Sequence, residues 1–164
     1  MTNQNLDKKV ELKTGDILGF ELNTERFKFK KEFGFARVLG KTRLGDAIDV
    51  YDYFGNDENE YEEAIMAPLL FEQPVILDGH STFWVKTSGN WTLLKEDPYF
   101  YYTESQKEKV KFKYGVKGLL KLVDLNGKNY TDCPQDEAES YPNYCPCTNY
   151  MIIQQIHSIL KNRG

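Results

Sequence analysis

The chain holds two histidines and three cysteines, and these set its range of imidazole and thiol chemistry. His80 lies in the turn-like stretch "LDGHSTF", and His157 flanks an apolar stripe near the C-terminus, so both read as structural residues. They lie far apart in sequence. There is no Gly-x-Ser-x-Gly elbow, no phosphate-cradling glycine loop and no His-x-x-x-His pair. The expectation is a protein that is not an enzyme and has no catalytic residues. Cys133 and the pair Cys145-Pro-Cys147 supply three thiolates, with His157 a distant fourth donor for a tetrahedral zinc site. Paired Cys-x-x-Cys knuckles are missing, so the expectation is free thiols, no metal and no cofactor.

Arginine and the acids carry the remaining chemistry. In "GFARVLG" (34–40), a two-residue period puts Phe33, Phe35, Arg37 and Leu39 on a bulky face and Gly34, Ala36, Val38 and Gly40 on a small one. A guanidinium on a core-like face needs a carboxylate or several carbonyls, because an unpaired buried charge costs several kcal/mol. Arg37 is therefore expected to be a structural hub, with Asp52 the favoured partner and Asp16 the alternate. From 45 to 85 the chain has ten acids and no lysine or arginine, although it holds 21 bases in all. Five of those acids fall in "DENEYEE" (57–63). One reading is a solvated loop; the sharper one is a patch that captures a basic partner. On the sharper reading the partner-binding surface starts at Asp49 and runs to Glu63, with Asp57, Glu58, Glu60, Glu62 and Glu63 steering and Tyr51, Tyr53 and Tyr61 anchoring.

The elements that must position these residues are mostly short strands. Strands are expected in 17–22, 32–41 and 47–56, the last ending at a Gly55-Asn56 turn. The stretch 60–70 reads either as one or two helical turns or as a loop. "PVILDG" and a hairpin around Ser88-Gly89-Asn90 follow, the latter leading into Trp91, which is expected to be structural. In "QKEKVKFKYG", Lys107, Lys109, Lys111 and Lys113 alternate with Val110, Phe112 and Tyr114, the pattern of a strand with one solvated face. Asn126-Gly127 signals a hairpin turn. At about 148–162, Ile152, Ile156, Ile159 and Leu160 line one helical face behind a Thr148 or Asn149 cap, and these are expected to pack on the sheet. The fold class is α+β, β-dominated: a bent antiparallel sheet or partial barrel with a C-terminal α-helix.

A length of 164 residues suits one domain, and aromatics at 14% fit pleated surfaces or a tyrosine-rich recognition face. The net charge of -4 weighs against a surface built for nucleic acid. No apolar run approaches the roughly 18 residues of a membrane span, and the polar start lacks a signal-peptide centre. With an odd cysteine count, the chain reads as cytoplasmic and not membrane-bound.

Over about 15–95, "KTGDILGFEL", "GFARVLG", "VYDYF" and "SGNWTLL" follow in an order and spacing that resemble the Imm26-type immunity proteins of bacterial polymorphic-toxin systems. The matching positions are Gly15, Asp16 and Ile17, then Gly34, Ala36, Arg37 and Val38, then Tyr51 and Asp52, then Gly89 and Trp91. The resemblance implies a cytoplasmic protein that binds and neutralises a cognate toxin, often a nuclease with a basic surface, without catalysis of its own. It does not reach 100–164. A second resemblance, to the small barrels of the MazF/PemK endoribonucleases, rests on Gly-Asp-Ile and the arginine-bearing strand. Those barrels have an Arg-Pro step where Arg37 here is followed by Val38. A third reading is a nucleic-acid-binding module on the lysine-rich 107–121 face, with Phe112 and Tyr114 stacking.

Overall fold

Period-two runs rich in β-branched and aromatic residues dominate the chain, and they form nine strands among the residues the structure describes. The structure, a computed structural model, describes residues 11–78 and 91–164. The expected hairpin around 88–90, and with it Gly89 and His80, lies outside the described residues. The strands are β1 (Ile17–Glu21), β2 (Phe33–Lys41), β3 (Asp46–Gly55), β4 (Val75–Leu77), β5 (Trp91–Lys95), β6 (Lys111–Tyr114), β7 (Lys121–Asp124), β8 (Thr131–Asp132) and β9 (Pro146–Cys147). The helices are α1 (Tyr61–Ala64), which continues a 3-10 turn at Glu58–Glu60, then α2 (Glu104–Lys109) and α3 (Asn149–Arg163).

Six strands make one open sheet in the order β5-β1-β2-β3-β4-β9, antiparallel except for the parallel β4–β9 pair. The other three form a small sheet, β6-β7-β8. The protein is thus α+β and sheet-dominated, with a C-terminal helix.

Both faces of the large sheet are covered, and this decides where Arg37 goes. The small face of β2 is the one that meets α3: Ala36 and Val38 join Leu18, Phe20, Leu22, Ile48, Val50, Trp91, Ile152 and Ile156 in the main core. Small residues there let the helix approach. Gly34 is packed so closely that a Cβ would lie 2.4 Å from the Phe20 ring. The bulky face looks the other way. Leu39 packs with Ala47 and Ile76 against Val110, Phe112, Val123 and Leu125 of the small sheet and its flanks. Phe35 packs with Tyr51 and Ala64 of α1.

The helix α3 forms as its sequence dictates. Thr148 caps it, accepting a hydrogen bond from the Met151 N–H, and Lys161 and Arg163 occupy the cation-favouring last turn. Ile152 and Ile156 are buried, and Ile159 and Leu160 pack at the core's margin. Trp91 stacks on Phe20 at 4.3 Å and donates to Asn149 Oδ1 at 2.7 Å.

One element differs from expectation. The lysine-alternating stretch begins as helix α2 and becomes strand only at Lys111. Thr103 and Gln106 form a reciprocal capping box, which starts a helix that the lysine alternation concealed. The lysines therefore do not share one strand face. Lys107 pairs with Glu104, Lys113 donates to the Ala138 carbonyl and Lys121 pairs with Asp132.

Candidate functional site

Arg37 sits between the two clusters that cover the bulky face of the sheet. Its Nε donates to the Tyr51 hydroxyl at 3.0 Å and its NH1 meets Asp97 Oδ2 at 3.2 Å. Its guanidinium carbon lies 4.4 Å from the centre of the Phe100 ring. Asp49 is its cross-strand partner in the register, close enough for their charges to interact. A charged hub is thus present, but its expected partners are not. Neither Asp52 nor Asp16 pairs with Arg37.

The reason lies in the register. Between Gly34↔Phe54 and Ala36↔Val50, β3 spends two more residues than β2. The extra length runs beside 68–70 instead: Asp52 donates its N–H to the Pro68 carbonyl, and Tyr51 bridges Leu69. Asp52 therefore follows Val50 onto the α3 side, where Arg163 NH1 reaches its Oδ1 at 2.8 Å. Asp16 is buried at the head of β1 and accepts the Lys13 N–H at 2.8 Å, and burial pushes its carboxyl up despite that bond. Asp97 was not foreseen. Gly15 positions it: at a φ of 96°, a Cβ there would fall 2.3 Å from the Asp97 carbonyl oxygen.

The hub is electrostatically tense. Burial pushes the Asp49 carboxyl up to about 6, with Arg37 pulling the other way. Burial likewise raises the Tyr51 and Tyr102 hydroxyls, with the Asp49 charge adding to the rise at Tyr102.

Beside the hub lies the acidic segment, and folding sorts its residues into two groups. Asp57 caps the 3-10 turn through the Asn59 N–H, and Glu60 accepts the Asn56 and Asp57 N–H groups. Glu60 also accepts from the Tyr53 hydroxyl at 2.8 Å, and this bond leads in holding its carboxyl below the usual range. These two acids build the turn. Glu62 and Glu63 are exposed and Glu58 is half-exposed, so these three present their charge to solvent. Bases from elsewhere in the chain also reach this region: Lys31 acts on Glu60, and Lys95 lies 5.9 Å from the Tyr61 ring centre. The local absence of bases in the sequence is therefore only partly an absence in space.

The tyrosine assignments need the same correction. Tyr51 is 7% exposed and held under Arg37, so it supports the sheet and offers no contact area. Tyr53 and Tyr61 are half-buried around Ala64. The exposed apolar groups are others. Met66 is 84% exposed just beyond α1, and Leu69 is exposed nearby. Tyr99 is 94% exposed and Tyr101 also faces solvent, on either side of the Phe100 that stacks on Arg37. A turn at 98–99 brings Phe100 inward onto Arg37 between them.

Cys133, Cys145 and Cys147 are free thiols, and burial raises that of Cys147. Among the described residues, no three His, Cys, Asp or Glu side chains converge to hold a metal ion. His157 packs its ring on Phe27 at 4.9 Å and edge-on to Phe29. No described helix is long and apolar enough to cross a membrane. No family model, curated protein or solved structure matches this chain.

Proposed function

We propose that the chain is a binding protein that neutralises a basic protein toxin, using the face built by α1 and the Arg37 hub. The observation that carries this reading is Met66, a large apolar side chain in open solvent, flanked by the exposed Glu62 and Glu63. Methionine and aromatic residues are enriched in interface cores, with charge at the rim. Acids at the rim raise the capture rate of a basic partner, and desolvated apolar anchors slow its release. The resemblance of 15–95 to Imm26-type immunity proteins points the same way. The partner class is then a cytoplasmic toxin whose active surface is basic, such as a nuclease. The chain itself contributes no catalytic group. The ion pairs of Lys107 and Lys121 weaken the nucleic-acid reading of the 107–121 face.

Copurification with the product of a neighbouring toxin-like gene identifies the partner. Glu58, Glu62 and Glu63 are then reversed to lysine, and association is followed across salt concentrations. Capture that slows steeply at low salt and little at high salt supports the reading; capture and cellular protection unchanged at every salt concentration would overturn it.

A further inference from the structure

A second site lies on the other side of the sheet, where α3 ends against the loop that follows β1. Leu22, Phe29, Phe54 and Leu160 floor a cleft of about 490 Å³ there, within the range of small-molecule pockets. Its floor is continuous with the main core, since Phe29, Phe54 and Leu160 all pack against that cluster. The rim is rich in lysine: Lys28, Lys30, Lys31 and Lys161 line it, beside Gly164. Among the described residues, Lys28, Lys30 and Lys161 join none of the ion pairs, in contrast to Lys41, Lys107 and Lys121. In a chain of net charge -4, four lysines around one apolar cleft leave a local positive field above an apolar floor.

We propose that this cleft binds an amphiphilic monoanion of the fatty-acid class, with its carboxylate among the lysine ammonium groups and its alkyl tail on Phe29, Phe54 and Leu160. The charge and the lining select this chemistry together. A bare inorganic anion would leave the apolar floor wet, and a neutral alkane would leave the lysine charges unanswered. A sugar or nucleobase needs several convergent hydrogen-bonding groups, and the inner lining offers mainly hydrocarbon with the His157 ring. Apart from Lys31, which also acts on Glu60, the site rests on residues that the acidic face does not use, so its test does not depend on the proposed toxin binding.

Titration with laurate below its micellar concentration tests the assignment, with dodecyltrimethylammonium, dodecanol, acetate and an oligoglutamate peptide as parallel probes. Calorimetry should show one laurate per chain, and amide and methyl NMR shifts should concentrate at Leu22, Phe29, Phe54 and Leu160. The triple variant Lys28→Glu, Lys30→Glu, Lys161→Glu changes only exposed side chains and should weaken laurate binding by about tenfold or more. It should also improve binding of dodecyltrimethylammonium. Binding of the cationic amphiphile by the natural chain as tightly as laurate would overturn the proposal. So would unchanged laurate affinity in the triple variant, shifts centred elsewhere, or oligoglutamate binding in preference to laurate.

Discussion

Arg37 and Asp49 face each other across β2 and β3, yet the balance of forces on them differs. Arg37 has a carboxylate, a hydroxyl and a ring around it, whereas Asp49 loses more to desolvation than Arg37 returns. The Asp49 carboxyl titrates near 6 in the fold and near 4 in the unfolded chain. Between those values, the folded chain keeps a proton that the unfolded chain has released. The contribution to stability is thus full below about pH 4 and is lost as pH rises through about 6. Asp16, also raised by burial, acts in the same direction. Asp49→Asn should therefore stabilise the protein at pH 8 by on the order of 1–3 kcal/mol and flatten its stability between pH 4 and 6, as read by urea melts across pH. Arg37→Ala should cost about 2 kcal/mol, and Arg37→Lys should recover only part, because lysine cannot hold Tyr51 and Asp97 while lying flat on Phe100. An Arg37→Ala melt indistinguishable from that of the natural chain would remove the hub from the account of stability.

At the scale of elements, the short strands and α3 were legible because their periods and caps are local properties. Residues 17–21, 33–41 and 46–55 alternate or run apolar between turn signals, and Thr148 precedes an isoleucine stripe. The partner of Arg37 was not legible. It depends on how β3 departs from β2 opposite Phe35, a matter of pairing with 68–70 that no local pattern contains. Which face of β2 meets the helix was hidden for a related reason. With both faces buried, bulk does not mark the inner one; closeness of approach does, and it selects the glycine and alanine side. Gly34→Val should accordingly cost about 3 kcal/mol or more by driving a branched side chain into Phe20. Asp57→Ala should remove about 1 kcal/mol of capping from the turn before α1, seen as faster amide exchange in 59–64 with the strands unaffected.

At the scale of the whole molecule, two charged patches of opposite sign stand out. On the bulky side of the sheet, the exposed Glu62 and Glu63 precede the exposed Met66 in the chain; at the end of α3, four lysines line a cleft. The sequence disclosed the acidic half through its base-free run. It hid the basic half, since Lys28, Lys30 and Lys31 meet Lys161 only when α3 returns to the loop after β1. Met66→Ala should weaken binding of the proposed partner by about tenfold, chiefly through faster dissociation, while leaving the melting temperature within a degree or two. A Met66→Ala protein that releases its partner at the natural rate would move the anchor to Tyr99 and Tyr101.

The position of α3 in the chain also shapes how the protein comes into being. Leu18, Phe20 and Leu22 are among the first core residues to be synthesised, yet their cover, Ile152 and Ile156, follows every strand of the sheet. During translation, a nascent chain with its described strands complete still presents a broad apolar face to solvent or to a chaperone. Contacts of such long sequence separation also slow folding, because the loop must close before burial rewards it. Synthesis that pauses before α3 therefore leaves the chain at its most aggregation-prone, and the rate at which 149–163 docks sets how long that exposure lasts.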